Sequence, residues 1–149
     1  MSAVTRECGG VGCHGGRLHP QPDNMEVLIV DDIRVLMIDD QFLSRRGLEI
    51  VLGAADGIEV VGGLDADVGD NLVIDLRPDV VLVGSGPDSR RAEEVCSRVR
   101  AAVPGARILV MSASEVPASL TEGGLVDGGI ARSSSVDTVT ENILRLAAT

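Results

Sequence analysis

The chain predicts an α/β domain built on a doubly wound, five-stranded parallel sheet. Three observations carry that prediction. From residue 25 onward, short runs of Val, Ile and Leu alternate with longer stretches of helical periodicity. Most of the runs are apolar throughout, as in strands buried on both faces. Successive runs are also separated by enough chain for a helical crossover, which returns the chain to the same end of the sheet and makes neighbouring strands parallel.

The strands are read at Ile33–Ile38, Ile58–Gly62, Asp79–Val83, Arg107–Met111 and Gly129–Ala131. A first helix is predicted over roughly Leu43–Leu52. The clearest helical stripe is Ala92, Val95, Cys96, Val99, Ala102 and Val103, at steps of three and four, and it stops at Pro104-Gly105. The last helix places Val136, Val139, Ile143 and Leu146 on one face, with Ser134 and Asp137 as a capping-box start. Weaker helical patterns cover 68–77 and 116–126, the latter broken by Gly123-Gly124. The resulting β-α-β-α-β-α-β-α-β-α order suits the flavodoxin-like strand order 2-1-3-4-5, with the ligand crevice where the order reverses, between strands 1 and 3.

Two segments precede this unit. Residues 1–24 are rich in Gly and polar residues, lack either period, and are expected to be a disordered tail. Its Cys8, Cys13, His14 and His19 fit zinc-ligand spacing poorly, and Met25 offers an alternative start. Residues 25–32, MEVLIVDD, nearly repeat IRVLMIDD at 33–40. Only the second copy is followed by a helix at the right distance, so 33–149 is taken as the domain. The first copy is expected to stay exposed, to pack on an outer face or to serve self-association.

The 149 residues suit one domain with one sizeable core. The net charge is −10, and all 13 residues in the Lys-plus-Arg count are Arg. An acidic domain without a basic patch is repelled by phosphate backbones, so direct nucleic-acid binding is not expected. Phe42 is the single aromatic residue, which leaves nothing to stack on bases. No apolar run reaches membrane-span length and no secretory segment opens the chain, so a cytoplasmic location without membrane contact is the expectation. Three cysteines suggest no disulfide framework.

Parallel strands deliver their C-terminal ends to one edge. Strand 1 ends in Asp39-Asp40, strand 3 in Gly84-Ser85-Gly86, strand 4 in Ser112 and strand 5 at Arg132. Two carboxylates, one hydroxyl and one guanidinium should therefore meet in one shallow pocket. The stretches IRVLMIDDQFLSRRGLEIVL, GIEVVG, RPDVVLV and PGARILVMSAS resemble the CheY-like receiver domains of bacterial response regulators, nearest to the NarL/FixJ type that is usually fused to a helix-turn-helix output domain. The resemblance runs from Ile33 to about Ala147. It implies a two-component, phosphorelay role in which an acidic pair (here Asp39 and Asp40) holds Mg²⁺ and an aspartate ending strand 3 is phosphorylated. It also implies a Ser/Thr (here Ser112) and a Lys that touch the phosphoryl group. The phosphoacceptor position falls on Gly84, the lysine position on Arg132 and the aromatic switch position on Gly129.

Glycine offers no nucleophile for an acyl phosphate. Ser85 lacks a base, and Asp88 is better suited to capping a helix. The expectation is therefore a receiver that is neither an enzyme nor phosphorylated on the usual aspartate. No cofactor is assigned beyond weakened Mg²⁺ binding, and Arg132 is expected to close on Asp40 or Asp39. Such a module acts by binding a protein partner, a small ligand or itself, with the face of helix 4, strand 5 and helix 5 implied as the dimer surface. Two alternatives remain open: a dimerisation or scaffold module with an empty pocket, and a phospho-ligand or nucleotide binder using the Gly84–Gly86 loop.

Overall fold

A computed structural model describes residues 16–20, 27–67, 69–86, 89–113, 120 and 122–148. Seven strands are described: β1 (Gly16–Pro20), β2 (Val27–Asp31), β3 (Ile33–Ile38), β4 (Ile58–Leu64), β5 (Val80–Ser85), β6 (Arg107–Ser112) and β7 (Gly128–Ala131). Four helices accompany them: α1 (Phe42–Gly53), α2 (Asp70–Leu76), α3 (Ser89–Ala102) and α4 (Val136–Ala147). The main sheet has the order β4-β3-β5-β6-β7, all pairs parallel. Numbered within that sheet the order is 2-1-3-4-5, the flavodoxin-like order expected from the sequence.

Strand alternation splits the apolar side chains between two faces. Leu36, Ile38, Val81, Val83, Ile108 and Val110 face α2 and α3, which contribute Val73, Val95, Cys96 and Val99. Val35, Met37, Val80, Leu82, Leu109 and Met111 face α1 and α4, which contribute Leu52, Val139, Ile143 and Leu146. Both faces of the three inner strands are thus buried, which explains why their sequences are apolar throughout. The predicted helix over 116–126 falls largely outside the described residues; Leu120 is helical and buried, and Gly124 turns the chain with φ 74°.

Two local expectations are corrected. Gly16–Pro20, assigned to the tail from its composition, is a strand that pairs antiparallel with Val27–Asp31, Gly16 opposite Asp31 and Pro20 opposite Val27. The first copy of the duplicated segment is therefore also a strand, and its backbone partner comes from its own N-terminal side. A proline at the end of a two-stranded ribbon costs no interior ladder bond, so composition was a poor guide there. The second correction concerns α4. Its N-cap is Ser135, whose Oγ accepts from the Thr138 N–H at 3.1 Å. The Ser134 N–H is instead committed to the Ala131 carbonyl in the turn leaving β7.

Asp127 pins the start of β7. Its Oδ2 accepts from the Ile108 N–H at 2.8 Å and from Arg100 at 2.7 Å. Burial pushes its pKa up, but the Ile108 N–H and the Arg100 guanidinium outweigh burial and hold the carboxyl below its ordinary value of 3.8. A carboxyl depressed by folding contributes stability that is present above 3.8 and lost as pH falls through the lower, folded value. We expect the thermal midpoint to fall in acid below that point, and Asp127→Asn to flatten this part of the profile; an unchanged profile in Asp127→Asn would remove Asp127 from the account.

Candidate functional site

Asp39 and Asp40 follow β3 at the C-terminal edge of the sheet, and the structure sends their side chains in different directions. Asp39 is 7% exposed and points across the edge towards β5. Its carboxylate takes a two-pronged contact from Arg132, Nη1 to Oδ2 at 2.9 Å and Nη2 to Oδ1 at 3.2 Å. The Gln41 N–H also donates to Oδ1, at 3.0 Å. The same guanidinium reaches the Ser85 carbonyl at 3.3 and 3.4 Å and the Ser44 hydroxyl of α1 at 3.3 Å. The planar fork of arginine makes this possible, since one head group supplies five N–H donors in fixed directions.

Gly84 explains where Asp39 lies. A Cβ at position 84 would sit 2.2 Å from Asp39 Oδ2 and 2.3 Å from its Cγ. The Asp39 carboxylate therefore occupies the volume that any side chain at position 84 would need. Gly84 and Ser85 continue β5 and pair with Met111 and Ser112 of β6. Of the three residues 84–86, only Gly86 lies beyond the sheet. Ser85 is 1% exposed and Ser112 3%.

Asp40 turns the other way. Its Oδ1 accepts from the Ala66 N–H at 2.8 Å and its Oδ2 from Arg91 Nε of α3 at 2.7 Å. The Ala66 N–H, followed by Arg91, holds the Asp40 carboxyl below the usual carboxylate range. Arg91 also binds Asp67 at 3.1 Å, so it bridges the end of β3 to the loop after β4. Nearby, Arg45 of α1 donates to the Asp39 carbonyl and to Asp65. A cavity of about 220 Å³ is lined by Ile38, Val83 and Val95 together with Asp40, Gln41 and Arg91.

Asp39, Gly84, Ser85 and Arg132 thus form one constellation. Asp40 belongs to a second one with Arg91. Ser112 lies beside Ser85 in the sheet, and its neighbour across β7 is Ala131. Gly129 is exposed and pairs with Val110, below the strand tips. Arg91, Arg45 and Ser44 are members of the site that the sequence reading missed. Arg91 stands beside the apolar stripe of its helix as one of two successive arginines, and no periodicity marks which of them faces the strand edge.

Mg²⁺ fits these residues poorly. The ion wants an octahedral set of oxygen ligands and gives up its waters reluctantly. Here each carboxylate already faces a guanidinium. Among the described residues no group of three or more His, Cys, Asp or Glu is placed to hold a metal ion.

The side chain missing at 84 and the ion pair are one packing unit, which makes a double-mutant test direct. Gly84→Ala should destabilise the protein by about 1–3 kcal/mol through the forced clash. The cost should largely vanish in an Asp39→Ala background, because the clashing group is gone. Additive effects in denaturant titrations would show that Asp39 does not fill this space in solution.

No protein-family model matches the chain. The nitrate/nitrite response regulator protein homolog of Haemophilus influenzae is 29% identical over 121 residues, 78% of this chain and 58% of that protein. The signal receiver domain of NarL from Mycobacterium tuberculosis matches with a TM-score of 0.65 and 26% identity, over 78% of this chain and 97% of that one. A CheY-like receiver domain protein from Methanospirillum hungatei matches with a TM-score of 0.69 over 79% of this chain and 95% of that one; at 15% identity that likeness concerns the fold. The chain spans between 30% and 58% of the length of the curated relatives it matches. The 2-1-3-4-5 parallel sheet, the acidic pair at its edge and these likenesses place the chain among the response-regulator receiver domains, the CheY-like modules of two-component signalling.

Proposed function

We propose that this receiver domain works without phosphorylation at the usual position and signals by binding. The observation that carries the reading is the Asp39 carboxylate lying in the side-chain volume of position 84, clamped there by Arg132. An acyl phosphate needs a carboxylate nucleophile aimed at phosphorus. Position 84 supplies none, and Asp39 is held with both oxygens engaged. Ser85 is no substitute: it is 1% exposed, and its hydroxyl lies 3.4 Å from the Gly86 carbonyl, not beside a base.

The site is thereby held in one arrangement. Arg132, which follows β7, ties that strand's end to β3, β5 and α1 at once. With Gly129 at the switch position there is no side chain to swing between pocket and surface. Output must then come from what binds: a protein partner, a second copy through the β7–α4 side of the sheet, or a small ligand in the cavity lined by Ile38, Val83 and Val95. The module is no enzyme on this reading. Its place is in the cytoplasm, where two-component partners are; no described helix is long and apolar enough to cross a membrane.

The test is incubation with a small phosphodonor such as acetyl phosphate, followed by intact-mass measurement. The wild-type chain should gain no hydroxylamine-labile phosphate. Gly84→Asp alone should also stay unmodified or nearly so, since Asp39 and Arg132 fill the space the new carboxylate needs. A labile adduct on the wild type that maps to an aspartate of this pocket overturns the reading.

A further inference from the structure

Each of the four carboxylate oxygens of the acidic pair accepts at least one N–H. Asp39 Oδ1 accepts from Gln41 N–H and from Arg132 Nη2, and Asp39 Oδ2 accepts from Arg132 Nη1. Asp40 Oδ1 accepts from Ala66 N–H, and Asp40 Oδ2 accepts from Arg91 Nε. Two negative charges are matched by two guanidinium groups that arrive from opposite directions, one on α3 and one after β7. We propose that Arg91 and Arg132 are the cations of this site: each neutralises one carboxylate, so the folded protein neither takes nor needs Mg²⁺ there, and removing both lets a divalent ion reach Asp39 and Asp40.

The physical case is one of charge and of geometry. A hydrated divalent ion approaching the pair meets two fixed positive charges and no carboxylate oxygen without a donor. To reach Asp39 it would have to break the Arg132 fork, which is largely shielded from water, with side-chain exposures of 14% for Arg132 and 9% for Asp39. Such charge-assisted, two-pronged contacts are the stronger kind of hydrogen bond, and water screens a shielded pair weakly. A tethered arginine also differs from a metal in consequence. It cannot dissociate, so chelators and the ambient Mg²⁺ concentration lose their hold on the pocket. What a metal would do from solution, joining the end of β3 to groups around it, these arginines do from within the chain. Arg91 joins Asp40 to Asp67 in the loop after β4, and Arg132 joins Asp39 to Ser85 at the end of β5.

This inference rests on the same Asp39–Arg132 pair as the proposed function, but it fails separately, because its test measures cation binding with no phosphodonor present. The full chain is titrated with MgCl₂ and MnCl₂ in a calorimeter, and its thermal midpoint is read with metal and with EDTA. The wild type should give no saturable heat and no shift. A guanidinium beside a carboxylate moves proton binding there by roughly one to three tenfold steps; on that scale each guanidinium removed should tighten Mn²⁺ binding about tenfold or more. Arg91→Gln/Arg132→Gln should therefore bind Mn²⁺ saturably, and adding Asp39→Asn and Asp40→Asn should abolish it. Should the double variant not fold, Arg91→Gln alone, at the more exposed arginine, decides: a gain of Mn²⁺ binding supports the proposal. Saturable binding by the wild type that is lost on Asp39→Asn, or a folded double variant (or the single one in its place) that ignores Mn²⁺, overturns it.

Discussion

The arrangement of the strand edge depends on one ion pair in one borrowed volume. Asp39 lies where the side chain of residue 84 would lie, and Arg132 holds it there through two hydrogen bonds. Arg132 also takes the Ser85 carbonyl and reaches Ser44, so a single head group connects β3, β5, α1 and the chain after β7. Such a shielded pair adds little net stability, because desolvation cancels much of the attraction. With both partners satisfied the edge has one good arrangement, and removing either leaves a shielded charge alone.

The sheet is what brings these groups together. A parallel sheet with both faces covered offers only its edges to solvent, and the common strand direction puts every strand's C-terminal end on the same edge. Residues 39, 84, 112 and 132 are far apart in the chain and are neighbours only through the register of β3, β5, β6 and β7. The two apolar layers behind them, one with α2 and α3 and one with α1 and α4, fix that register, since a slip of one residue would turn each strand's buried set to the wrong layer. Shifts in the core should therefore reach the pocket through strand register more than through side-chain contact.

Much of this was legible in the sequence. Continuous apolar runs gave all five strands of the main sheet to within two residues, and β3 without error, because inner strands leave no alternation to confuse. The convergence of Asp39, Gly84 and Arg132 followed from topology alone. The choice of Asp39 over Asp40 as the Arg132 partner did not. It turns on which of two adjacent carboxylates points along the edge and which points towards Ala66, a matter of a single backbone turn. Arg91 was illegible for a related reason: a charged residue beside an apolar helical stripe reads as solvated surface, and only the packed position of α3 aims it at Asp40. The β1–β2 ribbon was hidden because Gly- and Pro-containing polar segments carry no period, while antiparallel pairing of a short ribbon needs none.

Positions 84 and 132 act on the same carboxylate, one by the volume it leaves open and the other by its charge. A side chain at 84 would exclude the Asp39 carboxylate from its present place; once the place is open, the carboxylate needs a counter-charge that can follow it in. A lysine brings a compact point charge on a flexible stem, and it cannot grip two carboxylate oxygens in a planar fork while also reaching the Ser85 carbonyl. An arginine can, and here it does. Asp39 is kept by the fork of Arg132, and Asp40 by Arg91 and the Ala66 N–H. Two aspartates that look from sequence like the remnant of a metal site are, in the folded chain, the anionic halves of two internal ion pairs.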